Sequence, residues 1–139
     1  MSFFSALGIS KLFGGNALTE EERADLVQEV MLKTLARAAA SDTNIKSVEI
    51  DKVQEVLRAR TGVDVPTSEI RVAANSALFE KISLEKYLTR SAKNLDPKDR
   101  VDIINALREV IGSDERVSEM EQDFFNMVVK SLDVPAANL

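Results

Sequence analysis

Two stretches of this chain repeat one pattern 72 residues apart: residues 35–57, LARAAASDTNIKSVEIDKVQEVL, and residues 107–129, LREVIGSDERVSEMEQDFFNMVV. Superposed without a gap, both contain a Ser-Asp pair, an aliphatic residue three positions after the Asp and a Glu seven positions after it. In each copy we expect the Asp at the end of one helix and the Glu in the first turn of the next. The repeat therefore predicts two helix-turn-helix corners.

The residues around these corners also have helical periodicity. After position 19, apolar residues recur at a spacing of three and four, and no segment alternates long enough to favour a strand. Thr19 and Glu22 have the spacing of a capping box that opens the first helix, and Gly62 is placed to end the second. Ser83 and the Asp96-Pro97 pair predict two further helix starts. We predict an all-α fold, a compact bundle of about five to seven helices with two pseudo-symmetric halves. The predicted core face of the first helix is Leu26, Val27, Val30, Met31, Leu35 and Ala38.

The amino-acid composition excludes several classes of function. The 139 residues carry a net charge of −5, which argues against nucleic-acid binding because no basic stripe is available to contact phosphates. The chain has no Cys and no His, which excludes zinc sites of the Cys/His type, thiol nucleophiles and histidine relays. Carboxylate, amine and hydroxyl chemistry remains, and we expect no catalytic and no cofactor-binding residues.

The N-terminal segment 1–15, MSFFSALGISKLFGG, is apolar and ends at a Gly-Gly pair. It lacks the basic start and cleavage site of a secretory signal and is too short to span a bilayer. We predict a helix that docks on its own domain, binds a partner or forms a homodimer, or lies on a membrane surface. The rest, 16–139, is expected to form one soluble domain.

The repeated carboxylates admit two explanations. An Asp at a helix C-terminus lies beside carbonyl oxygens that already carry negative dipole charge, so it needs compensation. Backbone amides of the following turn provide it in the structural explanation. In the second explanation, the corners form an oxygen-rich site for a hard divalent cation such as calcium, magnesium or manganese. The predicted ligands in that case are Asp42, Glu49, Asp114 and Glu121.

With this motif, the sequence resembles the TerB-like family, a helical domain named for bacterial tellurite-resistance operons. The resemblance covers most of residues 20–134 and is carried by Ala40 to Glu49 and by Gly112 to Glu121. Both copies have Ser where the family has Ala, and Thr43 or Glu115 where it usually has Gly. The resemblance implies a helical bundle with an acidic patch, divalent-cation binding, a role in bacterial stress responses, and interaction modules of which some act near membranes.

We therefore predict a non-enzymatic binding module with a protein partner, located in the cytoplasm or at the periphery of the inner membrane as part of a membrane-associated complex. Residues 109–123 contain six acidic side chains and one basic, so we expect the second corner to be the one that binds a cation or a basic partner. Two alternatives are a carboxylate- or metal-dependent hydrolase and an adaptor that acts through the N-terminal helix.

Overall fold

The computed structural model describes residues 18–40, 49–76, 83–111 and 119–135. These residues form six α-helices and contain no β-strand, which confirms the all-α prediction. The predicted N-terminal helix over residues 1–15 lies outside the described residues. The helices are α1 Glu20–Ala38, α2 Ile50–Thr61, α3 Thr67–Ser76, α4 Leu84–Ala92, α5 Pro97–Ile111 and α6 Glu119–Ser131.

Helix α1 is the centre of the bundle and packs against α2, α3, α4 and α5. Its predicted core face is buried except for Val27, which is only partly buried. Leu32 and Ala36 are buried as well, although they lie outside the predicted face. Since neighbours surround α1 on several sides, its apolar surface is wider than the stripe expected of a helix that packs on one side.

Local chemistry sets the helix ends as predicted. Thr19 and Glu22 form a reciprocal capping box at the start of α1. Gly62 ends α2 in the left-handed conformation, with φ 74°. Ser83 caps α4 by accepting a hydrogen bond from the amide of Lys86, and α5 begins at Pro97.

The two repeated corners lie between α1 and α2 and between α5 and α6. Leu35 and Leu107 correspond in the repeat, and both are fully buried; the corresponding pair Val56 and Val128 is buried as well. Helices α1, α2 and α5 contact one another, and α6 packs on α4 and α5, so the two halves share one core. No helix among the described residues is long and apolar enough to span a bilayer.

Candidate functional site

The four predicted metal ligands divide into two groups. Asp42 and Asp114 lie outside the described residues. Glu49 and Glu121 are both described, and both lie where a helix begins after a corner.

The two glutamates occupy different positions relative to their helices. Glu49 is the N-cap residue of α2, with extended backbone at φ −107° and ψ 148°, and its side chain forms no capping hydrogen bond. Glu121 is the third residue of α6. The expectation that both glutamates lie in the first helical turn is therefore wrong for Glu49. Its backbone does not adopt helical angles, although its carbonyl accepts the first hydrogen bond of α2 from Val53 at 3.1 Å.

Burial separates these two residues further. The side chain of Glu49 is exposed, whereas Glu121 is only 5% exposed. The positive end of the α6 dipole stabilises a carboxylate in this first turn, and a buried carboxylate also requires donors, a cation or a metal ion around it. Of the two glutamates, Glu121 is therefore the more enclosed.

The described residues contain no group of three or more carboxylates close enough to hold a metal ion. Two of the four predicted ligands lie outside those residues. Convergence of Asp42, Glu49, Asp114 and Glu121 thus stays a prediction.

The acidic stretch 109–123 begins with a residue that has a structural role. Glu109 accepts hydrogen bonds from Arg60 and so joins α5 to α2. Glu119 and Asp123, at the start of α6, are exposed. The charge near the second corner is consequently smaller than the sequence count indicates, because one carboxylate is already neutralised by an arginine.

A second buried carboxylate was missed from the sequence. Glu29 on α1 is 5% exposed, and its Oε1 lies 4.0 Å from Nζ of Lys33. That ammonium also lies 4.7 Å from the ring centroid of Tyr87 on α4. The Glu-to-Lys spacing of four residues is visible in the sequence, but the aromatic ring comes from a helix more than fifty residues further on.

The described residues also form a cleft of about 330 Å³ where α4 and α6 end beside the first turns of α5. We call it the basic cleft, and it is lined by Thr89, Ala92, Lys93, Arg100, Lys130, Ser131 and Asp133. Neither Glu49 nor Glu121 lines it. The sequence did not predict this cleft, because Lys93 directly follows α4 whereas Lys130 lies on α6, and the two share no motif.

Arg100 organises the walls of the basic cleft. Its Nε donates to the carbonyl of Leu95 at 3.2 Å, its Nη1 to the carbonyl of Leu132 at 3.3 Å, and its Nη2 to the carbonyl of Ala92. These carbonyls belong to the ends of α4 and α6 and the turns that follow, where backbone acceptors lack helical partners. A single guanidinium therefore fixes two chain segments to α5.

The described residues define the class of protein: an all-helical domain with a single core, in which the two copies of the sequence repeat fall on the helix pairs α1–α2 and α5–α6. The chain belongs to the TerB family, because the family model described as tellurite resistance protein TerB matches residues 28–139. This match includes both corners and the basic cleft, and it confirms the predicted resemblance. Comparison with curated proteins and with solved structures found no match.

Proposed function

We propose that this chain is a non-enzymatic binding module of the TerB type that acts in a bacterial stress response and holds a divalent cation at its second acidic corner. The observation that carries this proposal is the burial of Glu121, at 5% exposure, at the start of α6. Calcium, magnesium and manganese prefer carboxylate and carbonyl oxygens, and an enclosed site provides these with less competition from water. Asp114 is the proposed second ligand.

The composition and the cleft both support a non-enzymatic role. The chain has no His or Cys to act as base or nucleophile. In the described part of the chain, the basic cleft contains one carboxylate, Asp133, so it lacks the pair that a carboxylate-dependent hydrolase uses. The proposal includes a protein partner at the exposed acidic side chains of α6 and a cytoplasmic location, at the inner membrane when the partner is there.

Isothermal titration calorimetry with calcium, magnesium and manganese tests the cation site. The test variant is Asp114→Asn with Glu121→Gln, and the matched control is Asp42→Asn with Glu49→Gln, which changes the same residue types at the first corner. We expect the test variant to lose binding and the control to keep it. Absence of binding to the unmodified chain at millimolar cation, or equal binding by both variants, would refute the site.

The stress-response role is tested separately in bacteria. A tellurite-sensitive bacterial strain that lacks this chain is complemented with the unmodified chain or with each double variant. We expect the second-corner variant to restore less growth than the first-corner variant at equal protein level. If the unmodified chain gives no protection, the proposed role is wrong, whatever calorimetry shows.

A further inference from the structure

The basic cleft combines positive charge with a fixed wall in a chain whose net charge is negative. Lys93, Arg100 and Lys130 line it, against the single carboxylate of Asp133. Among the described residues, no ion pair involves Lys93, Lys130 or Asp133. The side chains that line the cleft therefore sum to a charge of +2.

Arg100 contributes a positive group to the cleft that is held in a fixed position, unlike the exposed lysines. Three of its five N–H groups donate to backbone carbonyls, which holds the guanidinium plane in place and leaves two N–H groups for other acceptors. The same bonds satisfy carbonyls at the negative ends of α4 and α6. An anion in the cleft would otherwise be repelled by those helix ends.

Ser131 adds a hydroxyl whose proton has only a weak hydrogen-bond acceptor. It is 8% exposed, and its Oγ contacts the sulfur of Met127 at 3.6 Å, a weak acceptor that gives little energy. An incoming oxyanion is a much better acceptor for this proton than a thioether. The cleft thus offers a rigid guanidinium, two lysines and a nearly buried hydroxyl around one volume.

We propose that the basic cleft binds the phosphate group of a small phosphate monoester. Its volume of about 330 Å³ lies at the lower end of the range for small-molecule sites, which fits a compact ligand. Lysines near helix C-termini also offset the helix dipole without binding a ligand. That purely structural role predicts no saturable response to phosphate, so the two explanations differ in a measurable way.

The test is an NMR titration of the full chain with glycerol phosphate and with inorganic phosphate, with sodium chloride at matched ionic strength as reference. We expect saturable shifts of the Lys93, Ser131 and Asp133 amides with both phosphates and not with chloride. The variant Lys93→Gln with Lys130→Gln should weaken binding about tenfold or more. The matched control, Arg71→Gln with Lys86→Gln, removes two exposed cations elsewhere and should bind within about twofold of the unmodified chain.

Several results would overturn the site. These are shifts that do not saturate, equal shifts with chloride, equal weakening in both double variants, or binding only to vesicles that contain anionic phospholipid. The variant Asp133→Asn gives an independent check, because it removes the opposing charge at a position with φ 56° that Asn tolerates. We expect it to bind phosphate severalfold more tightly, and unchanged or weaker binding would count against the proposal.

Discussion

The guanidinium of Arg60 on α2 holds the carboxylate of Glu109 on α5 with two hydrogen bonds, Nη2 to Oε1 at 2.9 Å and Nε to Oε2 at 3.3 Å. Its Nη1 also donates to Asp102, one and a half to two turns earlier on α5. Arg60 is 21% exposed, so its charge is partly shielded from water. One side chain therefore fixes α2 to α5.

Loss of this contact should weaken the fold measurably. We expect Arg60→Ala to lower the free energy of unfolding by about 1 to 3 kcal/mol, because a bidentate charge-assisted contact and a third hydrogen bond are lost together. Urea unfolding of the single and double variants with Glu109→Ala gives the pairwise coupling. We expect a coupling energy of about 1 kcal/mol, which is smaller than the coupling energy of a fully buried pair because Glu109 is half exposed. A coupling near zero would mean that the contact is not energetically significant.

The pKa of Arg60 fixes the direction of the pH effect. Hydrogen bonding to Glu109 raises the pKa of Arg60 above its ordinary value, against a smaller opposing effect of burial. When the pKa of a basic group is raised in the folded state, the resulting stability is fully present at pH below the pKa of the unfolded state. It is lost as the pH rises through the pKa of the folded state. For an arginine that loss falls in strong alkali. Titration of Arg60 therefore contributes no change between about pH 6 and pH 9, and the difference in stability between the unmodified chain and Arg60→Ala should be constant over that range.

The repeat makes a prediction about the core. Leu35 and Leu107 occupy corresponding positions and are both fully buried, one on α1 and the other on α5. We expect Leu35→Ala and Leu107→Ala each to cost about 2 to 5 kcal/mol in urea unfolding, since each removes three buried carbon atoms and leaves a cavity. Val72 is 67% exposed, so Val72→Ala should stay within about 0.5 kcal/mol. A cost below about 1 kcal/mol at only one leucine would show that the halves do not share the core equally.

Local patterns predicted the fold because each depends on residues close in sequence. Three predicted helix boundaries depend only on residues a few positions apart, and all three are confirmed. They are the capping box at Thr19, the end of α2 at Gly62 and the start of α5 at Pro97. The wide burial of α1 depends on how many helices surround it, which periodicity does not encode. The helix starts after the corners also differ: α6 begins at Glu119, three residues before the position that corresponds to Ile50.

The candidate sites were predictable to a smaller extent. Repetition identified Glu49 and Glu121, but it did not predict that one is exposed and the other buried, or that they occupy different positions at their helix starts. The basic cleft has no motif, because Lys93 and Lys130 come together only when α4 and α6 pack side by side. Sequence patterns therefore identify residues that act within one helix or corner. They do not identify contacts between helices of different halves.

Gly62 provides a test of backbone strain alone. Its φ is 74°, and a Cβ added there would meet no atom within 4 Å, so a substitution changes conformational energy without a clash. We expect Gly62→Ala to destabilise the chain by about 1 to 2 kcal/mol, and Gly62→Asn by clearly less, because Asn adopts left-handed angles more readily. Thermal unfolding of both variants measures the difference. Equal losses for Ala and Asn would indicate a cause other than the left-handed backbone.

Arg100 should matter through the shape of its guanidinium as well as through its charge. Its three nitrogens reach the carbonyls of Ala92, Leu95 and Leu132, a span that the single ammonium of a lysine cannot reproduce. We expect Arg100→Met to lower the free energy of unfolding by about 2 to 4 kcal/mol, and Arg100→Lys to recover less than half of that loss. Urea unfolding measures both losses, and amide hydrogen exchange at Leu132 and Val134 should accelerate as the end of α6 opens.

The matched control is Arg58→Lys. Arg58 pairs with Asp64 at 2.9 Å, but both side chains are more than half exposed, so the substitution should change the free energy of unfolding by no more than about 0.5 kcal/mol. If Arg100→Lys were as stable as the unmodified chain, a positive charge at this position would suffice, and the fixed guanidinium plane would not be what holds the ends of α4 and α6 together.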